Sequence, residues 1–157
     1  MVKAALFDVY GTCVDWHGGM RRAASALLAE KHIDPSLGTA LAEGWRHRYQ
    51  PAMERVRSGA DAYRPLDALQ LETLAEVLDA LGLAHRFDAA DRARLNAAWD
   101  ALPAWPDTTE SLHALKAAMP IAACSNGSVA MMERLAAHAG LPWTMICGAE
   151  LARNFKP

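Results

Sequence analysis

Apolar residues open the chain as a short continuous run, Ala4-Ala5-Leu6-Phe7 and Val9, interrupted by Asp8 and stopped by a turn at Gly11. Such a run over residues 3 to 9 predicts a strand covered on both faces. The period then lengthens. Met20 to Lys31 is rich in alanine and leucine, and Leu37 to Val56 continues in helical style with a kink or break expected at Pro51. The leucines at 66, 69, 74, 78 and 81 follow a helical repeat and predict one apolar face. Ala89 to Leu102 predicts another helix, ended by Pro103 and Pro106.

Beyond residue 106 strand and helix alternate. Asp107-Thr108-Thr109-Glu110 has the form of a capping box before a helix through Leu112 and Leu115 to Ala118. Pro120-Ile121-Ala122-Ala123-Cys124 predicts a strand, Val129 to Ala139 a helix closed by Gly140, and Thr144-Met145-Ile146-Cys147 a third strand. Strand, helix and strand with continuous apolar strands imply an α/β protein with a parallel sheet. The economical division is a Rossmann-like core of residues 1–14 and 103–157, interrupted between its first and second strands by a helical cap of residues 15–102. The cap would sit over the C-terminal ends of the strands, where open α/β sheets bind ligands.

A chain of 157 residues can bury one real core. With 16 basic and 18 acidic residues, for a formal charge of -2, it offers no electrostatic case for nucleic acid or for an anionic membrane. Trp45-Arg46-His47-Arg48 and Arg55 to Arg57 concentrate basic residues, and the plain reading is a solvated helix face. Cys13, Cys124 and Cys147 have neither disulfide-framework nor zinc-site spacing, which fits a reducing cytoplasm. No apolar stretch approaches the ~20 residues needed to span a bilayer.

Three strand ends carry the polar chemistry. Asp8, at the end of the first strand, could be a base, a metal ligand, a nucleophile or a cap on the following turn. Ser125-Asn126-Gly127-Ser128 follows the second strand and places hydroxyls, an amide and backbone N–H groups at a helix start, an anion site by geometry, though Ser128 is equally an N-cap. Lys156, in Arg153-Asn154-Phe155-Lys156-Pro157, brings a positive charge to the same edge.

Taken together these residues resemble the haloacid dehalogenase superfamily: Asp8-Val9-Tyr10-Gly11-Thr12 as the first signature, Ser125 as the second, and Lys156-Pro157 as the third. Tyr10 narrows the resemblance. The phosphatases of that superfamily carry a second aspartate two residues after the nucleophile, to protonate the leaving alcohol, and they use Mg²⁺. A tyrosine, with an ordinary pKa of about 10, cannot do that work near neutral pH, whereas a halide leaves without a proton. The D-x-Y-G-T form is similar to the L-2-haloacid dehalogenases, as are Val14-Asp15-Trp16, Trp45-Arg46, Tyr63-Arg64-Pro65-Leu66-Asp67 and Ser125-Asn126-Gly127-Ser128.

The resemblance implies a hydrolase that converts short 2-haloalkanoic acids to 2-hydroxy acids. Asp8 would be the nucleophile, Thr12 would hydrogen-bond its carboxylate, and Arg46 with Asn126 would cradle the departing halide. Ser125 and Lys156 would hold the substrate carboxylate and orient Asp8. Tyr10, Trp16 and Trp45 are candidate apolar pocket walls or core residues. No metal and no cofactor are implied. The family pattern continues past the lysine with a further parallel strand and a fourth motif. This sequence stops at Pro157, so a C-terminal truncation is expected: a fragment, or a chain that completes its sheet by pairing with another copy. The runner-up readings are a phosphatase on the same scaffold and a catalytically incomplete chain that acts only in association.

Overall fold

The computed structural model describes residues 2–156, so the Pro157 half of the third signature lies outside the described residues. A short strand, β1 (Ala5–Phe7), leads into a helical block: α1 (Trp16–Glu30), α2 (Leu37–Arg57), α3 (Leu66–Ala80) and α4 (Ala89–Ala97). Two 3-10 turns, Ala84–Arg86 and Ala98–Ala101, flank α4. The chain then returns to the sheet through α5 (Thr108–Ala118), β2 (Ile121–Ser125), α6 (Val129–Ala139), β3 (Met145–Gly148) and the single turn α7 (Ala149–Ala152). The strands are parallel in the order β1-β2-β3, with Phe7 opposite Ala123, Cys124 opposite Cys147 and Ser125 opposite Gly148. The α/β class with a helical insertion between the first two strands therefore stands.

Only β2 meets the expectation of a covered strand, with Ile121, Ala123 and Ser125 buried. The strand expected over residues 3–9 shrinks to three residues, and Leu6 is 64% exposed; β3 starts at Met145, which is 62% exposed. Both are outer strands among the described residues, so one side lacks a neighbour and only the inward side chains are sheltered.

Helix starts also differ from their sequence signals. α1 begins at Trp16 because Asp15 caps it, its Oδ1 accepting from Gly18 N–H at 2.8 Å. The capping box expected at Asp107 does not form: Asp107 adopts a helical backbone and its side chain accepts no cap hydrogen bond. A reciprocal box forms instead at Asp88 and Asp91, whose carboxylates accept from each other's backbone N–H at 2.9 and 3.0 Å. The helix expected to run to Leu102 tightens into a 3-10 turn from Ala98. Pro51 does not break α2, which is continuous from Leu37 to Arg57.

The helical block has its own apolar interior. α2 packs between α1 and α3, and the apolar stripes meet there: Met20, Leu28, Leu41, Leu74 and Leu78 are fully buried and Trp45 nearly so. Among the described residues no helix is long and apolar enough to cross a membrane.

Candidate active site

β1 delivers Asp8 directly to the sheet's C-terminal edge, and the turn that follows keeps it there. Cys13 and Val14 both donate their N–H to the carbonyl of Val9, and Gly11, at φ 94°, takes the left-handed corner that this reversal needs. A Cβ on Gly11 would also stand 3.4 Å from the Trp16 ring. The reversal brings Thr12 back over Asp8, and its Oγ1 donates to Asp8 Oδ2 at 3.0 Å. From the far end of the chain Lys156 Nζ donates to Asp8 Oδ1 at 2.6 Å and to the Cys124 carbonyl at 2.7 Å. Asp8 is thus pinned at both oxygens, yet half of its side chain is open to solvent. Cys13 lies beneath it, its thiol donating to the Asp8 carbonyl at 3.3 Å; burial, helped by the Asp8 charge, pushes that thiol up to about 11.

The second strand end behaves differently. Ser125 is buried, and its Oγ accepts from Gly127 N–H at 3.1 Å, a tight turn closing β2. Ser125 makes no hydrogen bond with Asp8 or with Lys156, and its hydroxyl proton is left for another acceptor. Ser128 is an N-cap, accepting from Met131 N–H at 3.2 Å. Asn126 is engaged at both ends: Oδ1 accepts from the backbone N–H of Lys156 at 2.6 Å and Nδ2 donates to the Tyr49 hydroxyl at 3.1 Å.

Tyr49, which sequence reasoning missed, joins the helical block to the sheet. It stands one turn after Arg46 on α2, and that spacing was the available signal. The Arg46 guanidinium lies 4.1 Å from the centre of the Tyr49 ring and 5.3 Å from that of Trp16. Among the described residues it has no carboxylate within ion-pair distance. Arg46 therefore lies over the ring of the same Tyr49 whose hydroxyl accepts from Asn126. Elsewhere in the basic cluster Arg48 pairs with Glu76 and Arg55 with Asp61, whereas Arg57 reaches across to the backbone of Lys156.

An aromatic group closes the inner wall. Trp99 stacks on Trp16 at 22° and takes Tyr10 and Trp45 edge-on, with ring centres 5.5–6.3 Å apart. The 3-10 turn carrying Trp99 is tied to α6 by Arg134 Nε donating to Asp100 Oδ2 at 2.7 Å. Trp45 belongs to the interior, its Nε1 donating to the Gln70 carbonyl and to Thr73 Oγ1. Trp16 and Tyr10 are half-buried beside the site, and the Tyr10 hydroxyl is enclosed with no hydrogen-bond partner among the described residues. Burial, with Asp100 close by, pushes the Tyr10 phenol far above its ordinary range, so it stays protonated and is a poor acid. Behind Arg46 and Tyr49, walled by Trp45, Gln70 and Trp99, lies a cavity of about 10 Å³, the room of one water. Among the described residues no group of three His, Cys, Asp or Glu side chains is placed to hold a metal ion.

The sequence profile of haloacid dehalogenase-like hydrolases matches residues 2–157. The chain belongs to that family. Within it, the (S)-2-haloacid dehalogenase H-109 of Pseudomonas putida is 30% identical over 159 residues, an alignment covering 99% of this chain and 66% of that enzyme. The crystal structure of a defluorinating L-2-haloacid dehalogenase superposes with a TM-score of 0.95 at 38% identity, over 99% of this chain and 64% of the other. That of the L-2-haloacid dehalogenase of Xanthobacter autotrophicus, with chloropropionic acid covalently bound, gives 0.83 at 29% identity, over 100% and 60%. The chain thus spans about two thirds or less of the length of these haloacid dehalogenase-like relatives.

Proposed function

We propose that this protein acts as a 2-haloacid dehalogenase, hydrolysing short 2-haloalkanoic acids through an ester on Asp8. The observation that carries the reading is the Asp8 carboxylate, held by Thr12 and Lys156 and open to solvent, with the neutral phenol of Tyr10 two residues on. In the first step an Asp8 oxygen attacks C2 of the substrate, the C–halogen bond breaks in line, and the halide leaves with the bonding pair. Water then adds to the ester carbonyl and the acyl C–O bond breaks. The products are the inverted 2-hydroxy acid, the free Asp8 carboxylate and one proton. The chloropropionic acid bound covalently in the Xanthobacter enzyme supports this order of events by analogy.

Each remaining residue takes the role its surroundings suit. Lys156 and Thr12 fix the oxygen lone pairs of Asp8 for attack and neutralise its charge in part. Arg46 and the second Nδ2 proton of Asn126 supply donors to the halide as its charge develops. The Ser125 hydroxyl, with Lys156, holds the substrate carboxylate. Tyr10 and Trp16 form the apolar wall around C2 and its alkyl group. Residues 15–102 act as a cap over a core made of 1–14 and 103–157. The phosphatase alternative suffers from Tyr10, whose raised pKa makes it a weak donor to an alcohol leaving group.

Two wider readings go with this one. Among the described residues one edge of β1 has no neighbouring strand and Leu6 is exposed, which suits pairing with a second copy of the chain, revealed by light scattering as a doubled mass. The free thiols of Cys13, Cys124 and Cys147 suit a reducing, cytoplasmic setting.

Halide release from L-2-chloropropionate, followed by an ion-selective electrode with chiral analysis of the lactate, tests the proposal. D-lactate from the L-substrate, with the D-substrate untouched, is expected. Turnover of an aryl phosphate in Mg²⁺ without any halide release would overturn it.

A further inference from the structure

α2 reaches the sheet at a second point, two turns beyond Tyr49. Arg57, the last residue of α2, donates from Nη1 to the backbone carbonyl of Lys156 at 2.7 Å, although 99 residues separate them in sequence. Its side chain is only 19% exposed. The other face of the guanidinium is occupied on its own helix: Nε and Nη2 bind Glu54 Oε2 at 2.8 and 2.7 Å, and Nη2 reaches Gln50 Oε1 at 3.3 Å. Because the guanidinium is planar and rigid, those local bonds leave Nη1 aimed across the gap at the carbonyl.

Every polar group of Lys156 is then engaged. Its backbone N–H goes to Asn126, its ammonium to Asp8 and the Cys124 carbonyl, and its carbonyl to Arg57. The preceding Phe155 is buried, with its ring centre 5.4 Å from that of Tyr63 in the helical block. The Lys156 to Asp8 bond itself is a third to a half exposed, where water competes with it. Its geometry therefore depends on the backbone that carries Lys156, which Asn126 holds at the N–H and α2 holds at the carbonyl.

We infer that Arg57 is a positioning residue: through the Lys156 carbonyl it sets the lysine that orients Asp8, so that the helix presenting Arg46 to the leaving group also aligns the nucleophile. The inference deepens the dehalogenase reading and rests on it for the role of Asp8. Arg57 joins the bonds of one helix to both halves of a single displacement. The guanidinium bond is charge-assisted, the stronger kind, and its loss leaves a carbonyl that only water can satisfy.

The test compares Arg57→Met, Arg57→Lys and, as a control on the same helix turn, Arg55→Met. Four quantities are measured: the melting temperature, the rate at which an acylating reagent labels Lys156 without substrate, and kcat and KM for L-2-chloropropionate. In a folded Arg57→Met protein Lys156 should label about fivefold faster, as its ion pair with Asp8 loosens. Its kcat should fall about tenfold while KM moves less than about twofold. Arg57→Lys should recover most of both losses, and Arg55→Met should match the native protein. Native labelling and native kcat in Arg57→Met would overturn the inference. So would an Arg57→Lys protein that melts normally yet shows the full loss. Should labelling respond as expected while the native protein releases no halide, Arg57 still positions Lys156 and the dehalogenase reading fails. Halide release that is indifferent to Arg57 would leave the dehalogenase reading standing and overturn the positioning role.

Discussion

In the helical block most large apolar side chains are inside: Met20, Leu28, Leu41, Leu74 and Leu78 are fully buried between α1, α2 and α3, with Leu71 the exposed exception. On the sheet, Leu6 and Met145 stand 64% and 62% exposed, and the order at its C-terminal edge comes from polar bonds among Asp8, Thr12, Asn126 and Lys156. One region is held by apolar area removed from water, the other by a few directed donors and acceptors. Packing gives the block a fixed shape but little chemistry; the polar edge has the chemistry but needs outside support to hold its geometry. α2 serves both, through Leu41 and Trp45 on its inner face and Arg46, Tyr49 and Arg57 toward the sheet.

Variants should separate these two kinds of support. The largest effect is expected from Asp8→Asn, which under the dehalogenase reading removes the attacking charge and should reduce halide release more than about a thousandfold. The melting temperature should hardly move, since the side chain is half exposed. Leu28→Ala should do the reverse, costing about 3 kcal/mol in urea unfolding while activity per folded molecule persists. If Leu28→Ala abolished activity in molecules still folded, the proposed separation of roles would break. Thr12→Val keeps the shape and deletes one bond to Asp8, so kcat should fall about tenfold at unchanged stability.

The smallest effect is expected in the block. Lys31 hydrogen-bonds Asp91 and holds its carboxyl below the ordinary range, helped by the Asp88 N–H. A depressed carboxylate adds stability above its ordinary value and loses it as pH falls through the lowered one. Asp91→Ala should therefore cost about 1 kcal/mol at neutral pH and progressively less in acid, read from melts across pH 2 to 7.

How legible the molecule was in its sequence follows the same division. The leucine repeat of α3 was readable because burial imposes its period on the residues directly, and α1 and α2 were readable as helices from their composition and spacing. The meeting of Thr12 and Lys156 at Asp8 was readable too, since the fold brings both to within 3.0 Å of the Asp8 carboxylate. The strand edges were not. Ala4-Ala5-Leu6-Phe7 reads as a covered strand, but whether a neighbour covers Leu6 is a property of the sheet and not of those residues. Capping failed for a similar reason: Asp107 has the right neighbours but a helical backbone, while the Asp88 and Asp91 box uses a shorter acid than the usual pattern. Tyr49, Trp99 and Arg57 were hidden because each acts across a gap, on a partner far away in sequence. Ser125 was found in place but bonded to its own turn, a local alternative that a hydroxyl after a strand always has.

The dehalogenase reading turns on Asp8 itself bonding to the substrate carbon. The sharpest test is a single turnover of L-2-chloropropionate in water enriched in oxygen-18, with protein in excess and the Asp8 peptide weighed afterwards. Heavy oxygen should enter the Asp8 carboxylate while the lactate stays unlabelled. Labelled lactate beside an unlabelled Asp8 would mean that water attacks the substrate directly, and the covalent role of Asp8 would fall.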